Sequence, residues 1–417
     1  MISLQKYLLL FPFILLFTSY VPEADAQQWT RFRASDGLGI DTTAKVPLEW
    51  EADDFKWKIN LPGTGNSSPV AWGDKIFVTS ANNEDSIGYV MAIDQQDGEV
   101  LWQKEFDLSE LRMHVDNDLS AASPAVDESQ LYVIWYSKEK TTLTAMDHAG
   151  IIQWQADFEG IEARHGGGSS LMLTDSDVIF TREQEEASSL KGSWLAVNKQ
   201  TGLSSWVIER KNCESNSFST PILIKNDGQE PQLIFTSQAH GFTAVDPKTG
   251  KIIWERSGLL TARVVASPVY SNDLIIGCRK GEGVVIELDP KSMQASDSAL
   301  YTLPRELSPY VPTPIVVGEY IYLFMDSGIV ACVRLATGEL LWKERPAGPI
   351  YGSPVCVDGN LYCITKPGEV LVIGARPSYQ LRGIHPLGEG SFSTPLITES
   401  GMVFRTFSQL ILLESVD

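Results

Sequence analysis

The sequence predicts an all-β fold, an eight-bladed β-propeller of four-stranded antiparallel blades. Three observations predict it. A Ser/Thr-Pro-apolar signature recurs along the chain. A turn made of an acidic or amide residue, then Gly, then Trp recurs behind it. The two ends of the chain each hold an incomplete copy of the same unit. Composition agrees with many short strands and tight turns, since the 417 residues include 33 Gly, 22 Pro and 11 Trp. With 43% hydrophobic residues the chain can bury a large core and falls outside the disordered class.

The first segment reads as an address. Lys6 precedes an apolar run from Tyr7 to Phe17, and Ala24-Asp25-Ala26 is a small-x-small cleavage pattern. The run is too short for a membrane span of about 20 apolar residues. A secretory signal peptide over 1–26, cleaved near Ala26, is expected, followed by one propeller domain over 27–417. The setting is then periplasmic or secreted. No Cys lies in the first 200 positions to carry a lipid anchor, and no later run is long and apolar enough to span a bilayer.

Each blade opens on its Pro signature. The copies are Ser68-Pro69-Val70, Ser123-Pro124-Ala125, Thr220-Pro221-Ile222, Ser267-Pro268-Val269, Thr313-Pro314-Ile315, Ser353-Pro354-Val355 and Thr394-Pro395-Leu396. Ser169-Ser170-Leu171 marks an eighth unit that lacks the Pro, and the units start 40 to 55 residues apart. Pro at a strand start removes no ladder donor that is needed. Short alternating runs such as Lys75-Ile76-Phe77-Val78 and Tyr89-Val90-Met91-Ala92-Ile93 are the strands between signatures.

Each blade ends on the turn and its Trp. Asp94…Gly98…Trp102 is the clearest copy, repeated at Asp147…Gly150…Trp154, Asn198…Gly202…Trp206 and Asp246…Gly250…Trp254. Gly338…Trp342 has Arg334 in the acidic slot. One unit has lost its Trp near Leu300-Tyr301, and another around Tyr379 to Leu381. Gly supplies the positive φ of the hairpin, and the Asp or Asn side chain bonds its amides. The recurrent Trp stacks between neighbouring blades, each burying on the order of 200 Å².

The ends close the ring. After Pro395 only 22 residues remain, too few for an outer strand, while Trp57 in Phe55-Lys56-Trp57-Lys58-Ile59 is an outer strand with no inner strands before it. Pairing that N-terminal strand with the three C-terminal strands, Ser393 to Leu413, completes the eighth blade and removes the free edge. Six Trp then share one slot: Trp57, Trp102, Trp154, Trp206, Trp254 and Trp342.

Charge and cysteines narrow the function classes. A formal charge of −20 gives no basic footprint, so nucleic acid is not an expected partner and an anionic membrane surface is disfavoured. The five Cys are odd in number and fit no Cys-x-x-Cys motif. Cys332, Cys356 and Cys363 sit in apolar alternating runs and read as buried thiols, with a Cys356–Cys363 bridge left open in a disulfide-permissive compartment.

These Trp turns and Ser/Thr-Pro strand starts resemble the pyrroloquinoline-quinone-like repeat family. It includes outer-membrane assembly factors and quinoprotein alcohol dehydrogenases. The lead Trp29-Thr30-Arg31-Phe32-Arg33, with Asp36-Gly37-Leu38-Gly39, is similar to that of secreted members. The resemblance implies the propeller over about residues 29 to 417, but fold alone does not carry an activity. Quinoprotein members carry adjacent cysteines over the quinone, Ca²⁺ on carboxylate and amide ligands, and an Asp base. No two Cys are adjacent here, and those ligand positions do not map onto this chain.

A site is expected where the loops that precede the Ser/Thr-Pro signatures ring the channel mouth. Candidate ligand residues there are Arg164, His165, Arg263, Tyr310, His114 and Asp118, beside Asn66, Asp116, Asn216 and Tyr351. The loop Leu111 to Ser120 brings His114, Asp116 and Asp118, which are metal-type ligands, although no metal is predicted. Gly166-Gly167-Gly168 is either a relaxed connection or a close approach to a ligand. Arg263 is expected to pair with Asp or Glu or to meet a carboxylate ligand.

The expected function is a non-catalytic binding or scaffold module, with a protein or glycan ligand at the propeller face and no cofactor. A carbohydrate-active lyase or hydrolase is the alternative, requiring His165, Arg164, Tyr310 and Arg263 to converge. A dehydrogenase using pyrroloquinoline quinone (PQQ) with calcium is third.

Overall fold

The computed structural model describes residues 29–212 and 214–416. The expected signal peptide and its cleavage point lie outside the described residues, as does Cys213. Eight sheets form the ring. Blades 1 to 7 span 70–107, 125–159, 172–210, 222–256, 269–303, 315–344 and 355–386. Blade 8 joins Leu396–Thr398, Gly401–Arg405 and Gln409–Glu414 to the N-terminal strand Phe55–Asn60. That last pairing is antiparallel and sets Trp57 opposite Leu412, closing the ring as the repeat arithmetic requires. Among the described residues, helix is confined to two short 3-10 turns, Ala52–Asp54 and Arg305–Leu307. No helix there is long and apolar enough to cross a membrane.

The inner seams are tied by the residue that opens each signature. The backbone N–H of Ser68 donates to Ser123 Oγ at 2.8 Å, Ser123 to Ser170 at 3.0 Å, and Ser170 to Thr220 at 3.1 Å. Thr220 donates to Ser267, Ser267 to Thr313, and Thr313 to Ser353. Ser353 donates to Thr394, and Thr394 returns to Ser68 at 3.1 Å. Each hydroxyl supplies the acceptor for the amide of the blade before it, which would otherwise be buried unpaired. Ser170 keeps the bond in the unit without Pro.

The outer seams are tied by the Trp slot. Indole N–H groups donate to turn carbonyls of the following blade: Trp57 to Gln95, Trp102 to His148, Trp154 to Lys199, Trp206 to Pro247, Trp254 to Met293 and Trp342 to Arg376. Tyr301 holds the slot in blade 5 and reaches Leu335 through its hydroxyl. The turn Gly makes room for the ring: at Gly98, with φ +77°, a Cβ would stand 2.9 Å from the Trp57 indole. In blade 7 the register gives the slot to Gly383, opposite Val372, rather than to Tyr379 or Leu381. The connection into this outer strand is one residue longer than in blade 1, from Val372 to Gly383 against Ala92 to Trp102, and that offsets the count.

The N-terminal lead has a role that its resemblance did not indicate. Trp29 and Thr30 carbonyls accept from Ala71 and Val126 on the inner strands of blades 1 and 2. Arg33, 1% exposed, donates to Pro314 O and Leu38 O, and Gly39 O accepts from Cys356. Ile40–Asp41 then runs parallel to Val355–Val357 as a fifth strand of blade 7. Ala71, Val126 and Cys356 each lie three residues past the hydroxyl ring, so the lead crosses the channel about 10 Å below it. Cys278, Cys332, Cys356 and Cys363 are free and buried, so Cys356 and Cys363 are not bridged.

Candidate functional site

Above that floor the channel widens into a cavity of about 380 Å³. All eight ring hydroxyl residues line it, with Phe32 of the floor among the other lining groups. Each ring hydroxyl already accepts an N–H, and none donates to another described residue, so its proton is available to the cavity. Phe218, Tyr310, Tyr351 and Phe392 add aromatic walls.

On one side of the mouth, Arg263 Nη2 lies 2.9 Å from His165 Nδ1 and 3.7 Å from Glu185 Oε1. The Tyr310 phenol lies beside the same guanidinium. Burial, then the charges of Arg263 and His114, lower the His165 pKa to about 4, so the ring is neutral at physiological pH. The lone pair of Nδ1 accepts from Arg263, which leaves Nε2 as a donor. The His114 ring stacks on His165 at 5.3 Å. Lys280, on a neighbouring hairpin, also lines the cavity.

Across the mouth, Asp116 accepts from Tyr351 at 3.2 Å and Lys366 at 3.3 Å. Burial, then the Asp116 charge, pushes the Tyr351 phenol up to about 12. The half-buried Asp326 carboxylate takes the amides of Tyr310 and Val311, and desolvation raises its pKa.

The sequence candidates separate into two groups. His114, His165, Arg263 and Tyr310 line the cavity together. Arg164 instead turns outward, 65% exposed, with Nε 3.3 Å from Glu185. Asp118 accepts from Thr64, Asn83 and the Ser120 amide, and its charge faces the buried Arg405. It is a tie between blades 1, 2 and 8 and does not line the cavity. Gly167 is needed for packing, since a Cβ there would stand 2.5 Å from the Tyr136 ring. Lys280, Lys366, Phe218 and Phe392 were not singled out from the sequence. The Lys residues sit on hairpins outside the Ser/Thr-Pro loops. The recurrence of a hydroxyl in all eight units was the signal for the ring.

The adjacent cysteines and the metal ligands of quinoprotein members are not found among the described residues. Among the described residues no group of three or more His, Cys, Asp or Glu could hold a metal ion. His114, Asp116 and Asp118 go to three different partners, and the four described thiols are buried in blades 5, 6 and 7.

Known proteins extend this picture. Polyvinylalcohol dehydrogenase from a Pseudomonas species is 23% identical over 355 residues, covering 76% of this chain and 49% of that protein. This chain therefore spans about half the length of that relative. Outer membrane protein assembly factor BamB from Shewanella oneidensis is 22% identical over 300 residues, covering 72% and 68%. Among solved structures, a europium-containing methanol dehydrogenase superposes with a TM-score of 0.67 at 11% identity, covering 92% of this chain and 89% of that one. BamB from Moraxella catarrhalis superposes with 0.61 at 13% identity, covering 85% and 95%. At these identities the superpositions show the fold alone. The profile of the family described as outer membrane protein assembly factor BamB matches residues 46–133 and 139–378, and the chain belongs to that PQQ-repeat family.

Proposed function

We propose that the chain is an extracytoplasmic binding propeller that receives an acidic group of a protein partner at the channel mouth. One observation carries this reading: the cavity lining is rich in donors, and its one carboxylate, Asp116, is already bonded. Arg263, Lys280, the His165 Nε2–H and the ring hydroxyls all donate, while Asp116 is engaged by Tyr351 and Lys366. The leader sequence and the outer-membrane description of the family support the compartment. A lyase-type base is disfavoured, because Arg263 uses the only lone pair of His165. The comparisons add nothing in favour of a glycan.

A photo-crosslinking side chain at Phe218 tests the reading, with Ile252 on the outer circumference as control. The expected outcome is one protein adduct from Phe218 and none from Ile252, with adduct yield falling about tenfold in Arg263→Glu. Adducts at both positions alike, or a yield indifferent to Arg263→Glu, would refute it.

A dehydrogenase is the second reading, favoured by the polyvinylalcohol dehydrogenase relative. The donor-rich cavity suits the carboxylates of a quinone, but among the described residues no group of cation ligands is found for its metal. PQQ with Ca²⁺ and a dye-linked alcohol assay decides it, and turnover would displace the binding reading.

A further inference from the structure

We propose that His385 is a proton-dependent latch that holds the N-terminal strap in the seam between blades 7 and 8. This is the one outer seam where the Trp slot holds Gly, and residues 42–51 fill it instead. Tyr362 of blade 7 donates to Val46 O at 3.2 Å and Pro47 O at 3.3 Å. Trp50 stacks between His385 of blade 7, at 3.9 Å, and Phe404 of blade 8, at 5.9 Å. The His385 ring stands over Gly383, where a Cβ would meet Nε2 at 2.2 Å. The imidazole therefore occupies the space from which the repeat's indole is missing.

Its bonds fix its charge. His385 Nδ1 lies 3.1 Å from Trp50 O, and Nε2 lies 3.0 Å from Leu48 O. Both partners are backbone carbonyls, which only accept. A neutral imidazole has one N–H, so both bonds form only in the imidazolium, whose charge also suits the face of Trp50. The ring is 9% exposed, so water is a poor substitute for either bond.

The charged neighbours by position are Arg382 on the same strand, Glu369 opposite Pro386, Lys58 on Leu387 O, Arg405 of blade 8, and Lys45, Glu49 and Glu51 of the strap. The histidine–carboxylate pairs in the structure belong to His114, His165 and His240. Removing a ring proton sets a lone pair against a carbonyl oxygen. The latch is therefore closed while both ring nitrogens carry protons and opens when one proton is lost. The strap leads one way to the channel floor under the cavity and the other way to the closing strand Phe55–Asn60, so one proton acts on both.

Isotope-labelled histidine in the full chain reads the ring directly by NMR, with His385→Gln used to assign the signal. Both ring nitrogens are expected to carry protons in acidic buffer while the strap is closed. Hydrogen exchange over residues 42–54 is expected to quicken about tenfold once the ring is seen to lose a proton, relative to strands of blade 3. His385→Phe keeps the stack without donors and should abolish the difference. A bare ring nitrogen at the acid end, or strap exchange that tracks blade 3 at every pH, overturns the proposal. If His385→Phe does not fold, the two wild-type measurements decide.

Discussion

Seven outer seams of the ring repeat one device, and the eighth uses another. At the seven, an aromatic N–H or O–H reaches a turn carbonyl of the following blade. Between blades 7 and 8 the aromatic comes from outside the repeat, as Trp50, and its indole nitrogen is buried with no partner. Apolar area is supplied at every seam, but polar fixing at the eighth passes to His385 and Tyr362. A repeat thus tolerates loss of its marker residue when a distant segment restores the packing and an ionisable group restores the bonds.

The difference can be broken by matched substitutions. Trp254→Ala removes a buried indole with bonds to Met293 O and Gln232, and is expected to cost about 3–5 kcal/mol in urea unfolding. Trp254→Phe keeps most of the area and loses those bonds, for about 2 kcal/mol. Trp50→Phe, with no indole bond to lose, should cost under about 1 kcal/mol. Equal costs for the two Phe variants would erase the distinction between the seams.

The inner ring does not share the outer exception, because Ser353 and Thr394 bond across the same seam. Ser267→Ala leaves the Thr220 amide without its acceptor and should cost about 1–2 kcal/mol. Ser353→Ala, which strips the acceptor from Thr313, should cost the same within a few tenths of a kcal/mol. A larger loss at one position would mean that the hydroxyls are not equivalent.

The smallest effect is the pH dependence of the mouth. His165 has its pKa lowered to about 4, so the unfolded chain binds a proton there that the folded chain does not. Its contribution is complete above the ordinary histidine pKa of about 6.5 and is lost as pH falls toward 4. Melting curves of wild type and His165→Gln should therefore converge on acidification. Curves that stay parallel would remove the contrast between a neutral ring at the mouth and a doubly bonded ring at the seam.

Local, periodic features were legible in the sequence. The eight units, the Trp slots, the placement of Tyr301 and the closure by Trp57 all follow from spacing, because each blade repeats the same short-range chemistry. The blade 7 slot was sought at Tyr379 to Leu381 and lies at Gly383, because its marker is missing and the connection before it is one residue longer than in blade 1. The floor and strap were illegible as contacts: Arg33 meets Pro314, and His385 meets Trp50, with no period linking them. The site was half legible for the same reason. Loop position brought out His165 and Arg263, 98 residues apart, but could not show that Arg164 turns outward or that Asp118 serves Arg405.

The closing strand sets an order of events. Trp57 pairs with Leu412 across nearly the whole chain, and the lead before it rests on blades 1, 2, 6 and 7. The first described residues to be synthesised are therefore among the last to find their places. Loop closure over that separation is slow, so the early blades must wait as an open arc with exposed edges. An arc of this kind keeps exposed edges until the strands of 396–414 arrive, and a late frameshift would leave the Phe55–Asn60 strand without a partner.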